Sequence, residues 1–332
     1  MKNRIKQFIK WLPGILISGA ALYFLFSIVS LNDLVLAFKK LTAGTIALYI
    51  IGQFFALIFR AKGWQALLQK AETLNTFYVV AEGYLFNNLI PRSGEIARAV
   101  IMGGISGLGT MRVLSTIVVE RVFDLILAAV FFLSTLPLAI QMEWLKPIAT
   151  TMLITVFLLL GVLFLAAYNL EKVEKILDVI GTRWSFFKIR IKPAVSSALL
   201  GLSALTQPRK WIASLVWVIL SWLVWTCMMF VAIRTVSPNA PFWWAIFCQG
   251  MLALGIALPS APAGLGVFEG TLVVALSIFK IPQADALGMA LGLHFTEIAM
   301  NMVCGVIGLF KQGQSFSHIL SQIGNSTKQK VI

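Results

Sequence analysis

Six stretches of this sequence, 11–31, 44–59, 113–140, 148–168, 211–233 and 284–310, are almost wholly apolar, and they limit what the chain can fold into. About 20 mostly apolar residues in a helix cross a bilayer core of about 30 Å. Hydrocarbon offers no partner to a backbone N–H or C=O, so such stretches must satisfy their own hydrogen bonds. The expected fold class is therefore an all-α polytopic membrane protein with about six full transmembrane helices. Composition agrees, because 59% hydrophobic against 12% charged residues is not the balance of a water-soluble globule of 332 residues. The net charge of +14 would suit a nucleic-acid partner, but the basic residues are scattered between the apolar runs, so no nucleic-acid surface is expected.

Lys2, Arg4, Lys6 and Lys10 precede the first apolar run, which is too long for a cleaved leader and lacks a clear small-x-small cleavage site before Asn32; a retained signal anchor is expected. Cys227, Cys248 and Cys304 lie in apolar runs without ligand spacing, and no disulfide, metal or cofactor is expected of them.

Two further apolar regions, 76–109 and 242–279, are broken in the middle by proline and glycine. Asn87-Asn88-Leu89-Ile90-Pro91-Arg92-Ser93-Gly94 cannot continue a spanning helix, and neither can Pro259-Ser260-Ala261-Pro262-Ala263-Gly264-Leu265-Gly266. Both regions are expected to be re-entrant hairpins, two half-helices meeting at a polar turn.

With the N- and C-termini placed in the cytoplasm and each hairpin returning to its own side, the cytoplasmic segments hold all Lys and Arg except Lys39, Lys40, Lys146, Arg234, Lys280 and the intramembrane Arg121. That leaves 21 of 27, the bias of a multi-pass inner (plasma) membrane protein. The basic segment 169–210, with Trp184, Phe186 and Phe187, is expected to lie along the cytoplasmic interface. Within one transmembrane domain spanning 1–332, two spans, a hairpin and a span (11–140) precede two spans, a hairpin and a span (148–310). The second unit starts from the opposite side. This order predicts an inverted repeat with a substrate site where the two hairpins approach.

Charges in hydrocarbon cost a few kcal/mol each and mark candidate functional groups. The first hairpin carries Glu82, Arg92, Glu95 and Arg98. Ser93 is expected to cap the half-helix that begins near Gly94, with Glu95 in its first turn. Free N–H groups there, with Arg92 and Arg98, could hold a phosphate; the plainer alternative is a helix cap with two surface arginines. Asn87 and Asn88 favour the site, since an anchor has no need of them. In the second hairpin Ser260, Gly264 and Gly266 offer a hydroxyl and close backbone approach to a ligand or another helix. Glu269 calls for a partner, expected to be an arginine of the first hairpin. Glu120 and Asp124 share a helix face with Arg121 about 100° round, roughly 10 to 16 Å into their span. One acid would pair with Arg121, leaving the other for a proton or substrate. His294 and Glu297, three apart, are expected to hydrogen-bond to each other rather than to bind metal, for no third ligand has matching spacing.

The segments Asn88 to Arg98 and Leu258 to Gly270 resemble signatures of the lysylphosphatidylglycerol synthase transmembrane, or flippase-like, family. The resemblance implies roles for Pro91, Arg92, Gly94, Glu95 and Arg98, for Glu120, Arg121 and Asp124, and for Pro259, Gly264, Gly266 and Glu269. It also implies movement of a phosphate-bearing or aminoacylated lipid between leaflets, a transporter-like role rather than catalysis. The alternative is an integral-membrane enzyme or accessory subunit in polyprenyl-phosphate, hopanoid or glycolipid synthesis, with a glycosyltransferase or other lipid-synthesis partner. Only about twenty polar residues follow Phe310, so a stand-alone member without the soluble aminoacyl-transferase domain is expected.

Overall fold

A computed structural model describes residues 2–68, 71–184, 207–316 and 319. Among them every regular element is helical: α1 (Lys2–Ile28), α2 (Leu31–Lys39), α3 (Ala43–Leu68), α4 (Thr73–Leu89), α5 (Gly94–Ser106), α6 (Thr110–Ala139), α7 (Leu145–Tyr168), α8 (Leu170–Arg183), α9 (Pro208–Val236), α10 (Phe242–Ile256), α11 (Val267–Ser277) and α12 (Gln283–Lys311), with one 3-10 turn at Pro262–Gly264. The chain is an all-α, multi-pass membrane protein.

Four helices, α3, α6, α9 and α12, are long and apolar enough to cross a membrane. A fifth span is possible by length if α1 from Pro13 and α2 count together, although α2 turns away from α1 by 90°. The sequence left 32–43 as a connection. It folds instead into α2, because the Ser30 hydroxyl accepts the Asp33 N–H at 3.1 Å and starts a new helix. The far end of α2 is held to α12 by Lys40 and Asp285, 2.5 Å apart. The remaining expected span, 148–168, lies in α7, which packs on α6. Of segment 169–210, the first part forms the amphipathic α8, with Leu177 buried, and the exposed Trp184 follows it. Phe186 and Phe187 lie outside the described residues.

Both broken regions become pairs of short helices packed against each other, α4 with α5 and α10 with α11. The first pair breaks at Ile90, held extended by the following Pro91, and at Arg92, whose φ is +59°. The second breaks over 257–266, where Ala263, Gly264 and Gly266 have φ of +58°, +77° and +82°. Gly94 allows α5 to touch α4: a Cβ there would run into the Gly83 carbonyl and the Asn87 amide. Gly94→Ala is therefore expected to destabilise the fold by about 1–3 kcal/mol through overpacking. Gly104→Ala on the same helix, where a Cβ meets nothing within 4 Å, should be neutral or slightly favourable. Thermal unfolding of the two variants in nanodiscs compares them, and equal midpoints would remove the close approach as a constraint.

Three apolar clusters hold the bundle. Phe247, Ile233, Leu272, Leu276 and Met289 join α9 to α12. Trp64, Phe86, Met102 and Ile117 seat the first helix pair on α3 and α6. Phe123, Val218 and Trp222 join α6 to α9. In lipid, helices associate where small residues allow close packing. Gly305 and Gly308 do this for α12, which lies against Ala81, Leu85 and Glu82 of α4.

Candidate functional site

Helix α6 turns Glu120 and Asp124, one helical turn apart, toward α3 and α5. Arg98 of α5 donates twice to Glu120, Nη1 to Oε1 at 3.1 Å and Nη2 to Oε2 at 2.7 Å. Arg60 of α3 reaches Glu120 Oε1 at 2.8 Å and also donates twice to Asp124, through Nη1 to Oδ1 at 2.6 Å and through Nη2 to Oδ2. Trp222 of α9 donates its indole N–H to the same Asp124 at 3.1 Å. The Arg98 guanidinium lies 4.1 Å over the Trp64 ring, which in turn donates to Thr116 at 2.9 Å. Arg60, Arg98 and Glu120 are buried.

The network opens on one side. Arg121 is 40% exposed and Glu95 31%, with Arg121 Nε 3.6 Å from Glu95 and Nη1 3.1 Å from Asp124. Three arginines thus face three carboxylates. The inner guanidiniums are held by carboxylates through their terminal nitrogens, although the buried Nε of Arg60 and of Arg98 has no hydrogen-bond partner, whereas the outer guanidinium and carboxylate can exchange their partner for a ligand. Neither acid of α6 is left over in the way the sequence suggested, because Arg60 supplies a second cation. Arg60 and Arg98 both belong to the 21 Lys and Arg assigned to the cytoplasm, and their burial reduces that count to 19.

Around the first turn the polar groups largely serve the turn itself. Asn87 Oδ1, not Ser93, accepts the Gly94 N–H at 2.7 Å. The Ser93 hydroxyl donates backwards to the carbonyls of Phe86 at 3.0 Å and Ile90 at 2.8 Å, so the expected serine cap is not formed. Asn88 keeps a buried amide nitrogen without a hydrogen-bond partner. Arg92 is exposed and donates to the Ala257 carbonyl at the end of α10, 3.0 Å away, which joins the two turns.

In the second turn Glu269 closes the start of α11 by accepting the Gly266 N–H at 2.7 Å. Its other oxygen lies 2.7 Å from His294 Nδ1, and His294 Nε2 lies 2.9 Å from the Ala263 carbonyl. Glu269 is therefore partnered by His294 and not by an arginine of the first turn. Likewise His294 bonds across to α11 rather than along α12 to Glu297, whose charge it feels without a hydrogen bond. A Cβ on Gly266 would sit 2.6 Å from the Ser18 carbonyl, so this glycine serves the packing of α1; Gly264 faces open space. Ser260 is packed through its backbone against Gly14. Glu82 joins neither cluster: its carboxylate is buried against Gly308 with no hydrogen-bond partner.

Sequence reasoning missed Arg60, Trp64 and Trp222, and also the buried chain in which Trp225 donates to Gln53 at 3.0 Å and Gln53 to Asn301 at 3.4 Å. For Arg60 a signal existed: Leu57, Ala61, Trp64 and Leu68 continue the helical period past Phe59 and carry the arginine inside α3.

A search of curated proteins finds no match to the sequence. The model of one family, described as the lysylphosphatidylglycerol synthase TM region, matches residues 11–305, which take in both turns and the whole charged network. The chain therefore belongs to the lysylphosphatidylglycerol synthase transmembrane-region family.

Proposed function

We propose that this protein is a lipid translocase, moving a phosphate-bearing lipid or lipid-linked headgroup between the leaflets of the inner membrane. The observation that carries this reading is the half-open ion network inside an apolar helix bundle, with Arg121 and Glu95 partly exposed at its edge. A buried network that served packing alone would have no need of an open guanidinium and carboxylate. Arg121 offers a phosphate a charge-assisted, bidentate partner, and Arg92 offers a second cation at the junction of the two turns. Arg98, expected from the sequence to touch the phosphate, instead holds Glu120 in place. The headgroup would pass along the polar groups at the two turns while its tails stay in lipid. Asn87, Ser93, Ser260 and Gly264 line or shape that path.

The reading also keeps both helix pairs as re-entrant hairpins of an inverted repeat. Cysteines replacing Pro91 and Pro262, one at a time, should label with impermeant reagents from opposite sides of the membrane; labelling from one side would overturn the repeat. The function itself is tested in liposomes containing the purified chain and fluorescent phosphatidylglycerol or a polyprenyl phosphate. Headgroup exposure to an external quencher should rise faster than in protein-free liposomes. No acceleration with any phosphate lipid overturns the reading, and a chemically altered lipid would make the chain an enzyme.

A further inference from the structure

The second turn contains a hydrogen-bond chain that does not balance without an extra proton. The Ala263 carbonyl can only accept, so the His294 Nε2 beside it, 2.9 Å away, carries a hydrogen. On the other side Nδ1 lies 2.7 Å from Glu269 Oε1, a hydrogen-bond separation. The second Glu269 oxygen already accepts the Gly266 N–H. A proton must therefore lie between ring and carboxyl, either on Nδ1 facing a carboxylate or on Oε1 facing a neutral ring. In both forms the pair holds one proton more than a neutral imidazole and a carboxylate.

We propose that Glu269 and His294 form a one-proton site whose occupancy controls the 257–266 turn and couples H⁺ to transport. The coupling rests on the translocase reading and adds the ion that drives it. When the pair gives its proton to water, one ring N–H remains for two acceptors. The carboxylate is the stronger acceptor, so the N–H settles on Nδ1 and Nε2 becomes a bare lone pair facing the Ala263 oxygen. That contact is lost. Ala263 has φ of +58°, where residues with a side chain are rarely found, so losing its tether acts on the part of the turn held furthest from relaxed backbone. Uptake of a proton restores both contacts and closes the turn against α12.

The surroundings suit a single coupled site. Phe268 stacks on the His294 ring with centroids 4.1 Å apart and shields one face. Among the described residues Glu297, on α12 itself, is the other charged group acting on His294. Helix α1 presents Ser18, which accepts the Ala261 N–H at 2.8 Å, and Leu22. On α4, Glu82 is turned to Gly308, and Tyr84 interacts with the arginines of the network. From the first turn Arg92 engages the Ala257 carbonyl, not the pair.

The chain has two histidines, and His318→Gln leaves His294 as the sole imidazole for ¹⁵N NMR in nanodiscs. Raising the pH from about 5 to about 9, a span that starts in the range where free histidine switches and extends above it because Glu269 faces the ring, should remove one proton and leave the remaining one on Nδ1. Amide exchange over 257–266 should speed up in step. Glu269→Gln can donate its amide to Nδ1 while still accepting from Gly266, so it holds the closed arrangement with a neutral ring. Both changes should vanish in that variant. An imidazole that does not titrate, or that titrates unchanged in Glu269→Gln, overturns the proton site. In liposomes an imposed pH gradient should change phosphatidylglycerol movement several-fold, and not in Glu269→Gln. Movement indifferent to the gradient overturns the coupling and leaves the translocase reading intact. A chain that titrates but moves no lipid overturns the translocase reading, and the coupling with it, while the proton site stands.

Discussion

Glu120→Gln is expected to remove about 3–5 kcal/mol of folding stability, the cost of leaving a buried charge without its partner. One carboxylate here serves two guanidiniums: Arg98 holds both of its oxygens, and Arg60 lies 2.8 Å from one of them. Without the negative charge, three arginines face only Glu95 and Asp124. Arg98 then has no anion within reach, and its Trp64 contact, favourable by about 0.5 to 2 kcal/mol, does not replace a carboxylate. The double variant Arg98→Met, Glu120→Leu should recover much of the loss, because it removes one charge of each sign and leaves Arg60 on Asp124. Unfolding of parent, single and double variants in nanodiscs gives the coupling energy directly. If Glu120→Gln melts with the parent, the network is not a structural element and the division into inner pairs and open edge fails.

That division could not have been read from the sequence, although its setting could. The apolar runs place α3, α6, α9 and α12, and proline with glycine marks both breaks, because these signals are local to a few residues. Glu120 and Asp124 could be put on one face for the same reason, since helix geometry fixes neighbours three or four apart. What the sequence withholds is which distant residues meet. Arg60 lies 64 positions from Asp124, and no spacing rule connects them. The same applies to Glu269 and His294, 25 apart on different helices, where the nearer Glu297 drew the pairing to itself. Helix α2 was missed because its nine residues are too short for a hydropathy window and are set by the Ser30 cap. The serine cap of α5 failed in the opposite sense: the turn brings the Asn87 amide closer to the Gly94 N–H than the local serine, whose hydroxyl finds two carbonyls instead.

Arg121→Gln should separate transport from stability. Arg121 is the partly exposed arginine of the network, and its loss leaves Arg60 and Arg98 on Glu120 and Asp124. Exposed ion pairs contribute about 0–1 kcal/mol, so melting should shift far less than in Glu120→Gln. A lipid phosphate that uses this guanidinium, however, loses a hydrogen-bonded charge of about 1.5–3 kcal/mol. Lipid affinity should then fall about 10- to 100-fold, since each 1.4 kcal/mol is a factor of about ten. The deficit should be visible in liposomes at low lipid-probe concentration and shrink as the probe is raised. Arg121→Lys keeps the charge but not the two-pronged geometry and should fall between the two. A stable Arg121→Gln chain that moves phosphatidylglycerol like the parent would take the phosphate away from the network edge. Arg92→Gln then becomes the decisive variant, because Arg92 is the exposed arginine at the turns, bound there to a neutral carbonyl rather than a carboxylate. If neither substitution slows movement, the half-open network holds the fold together without touching the lipid.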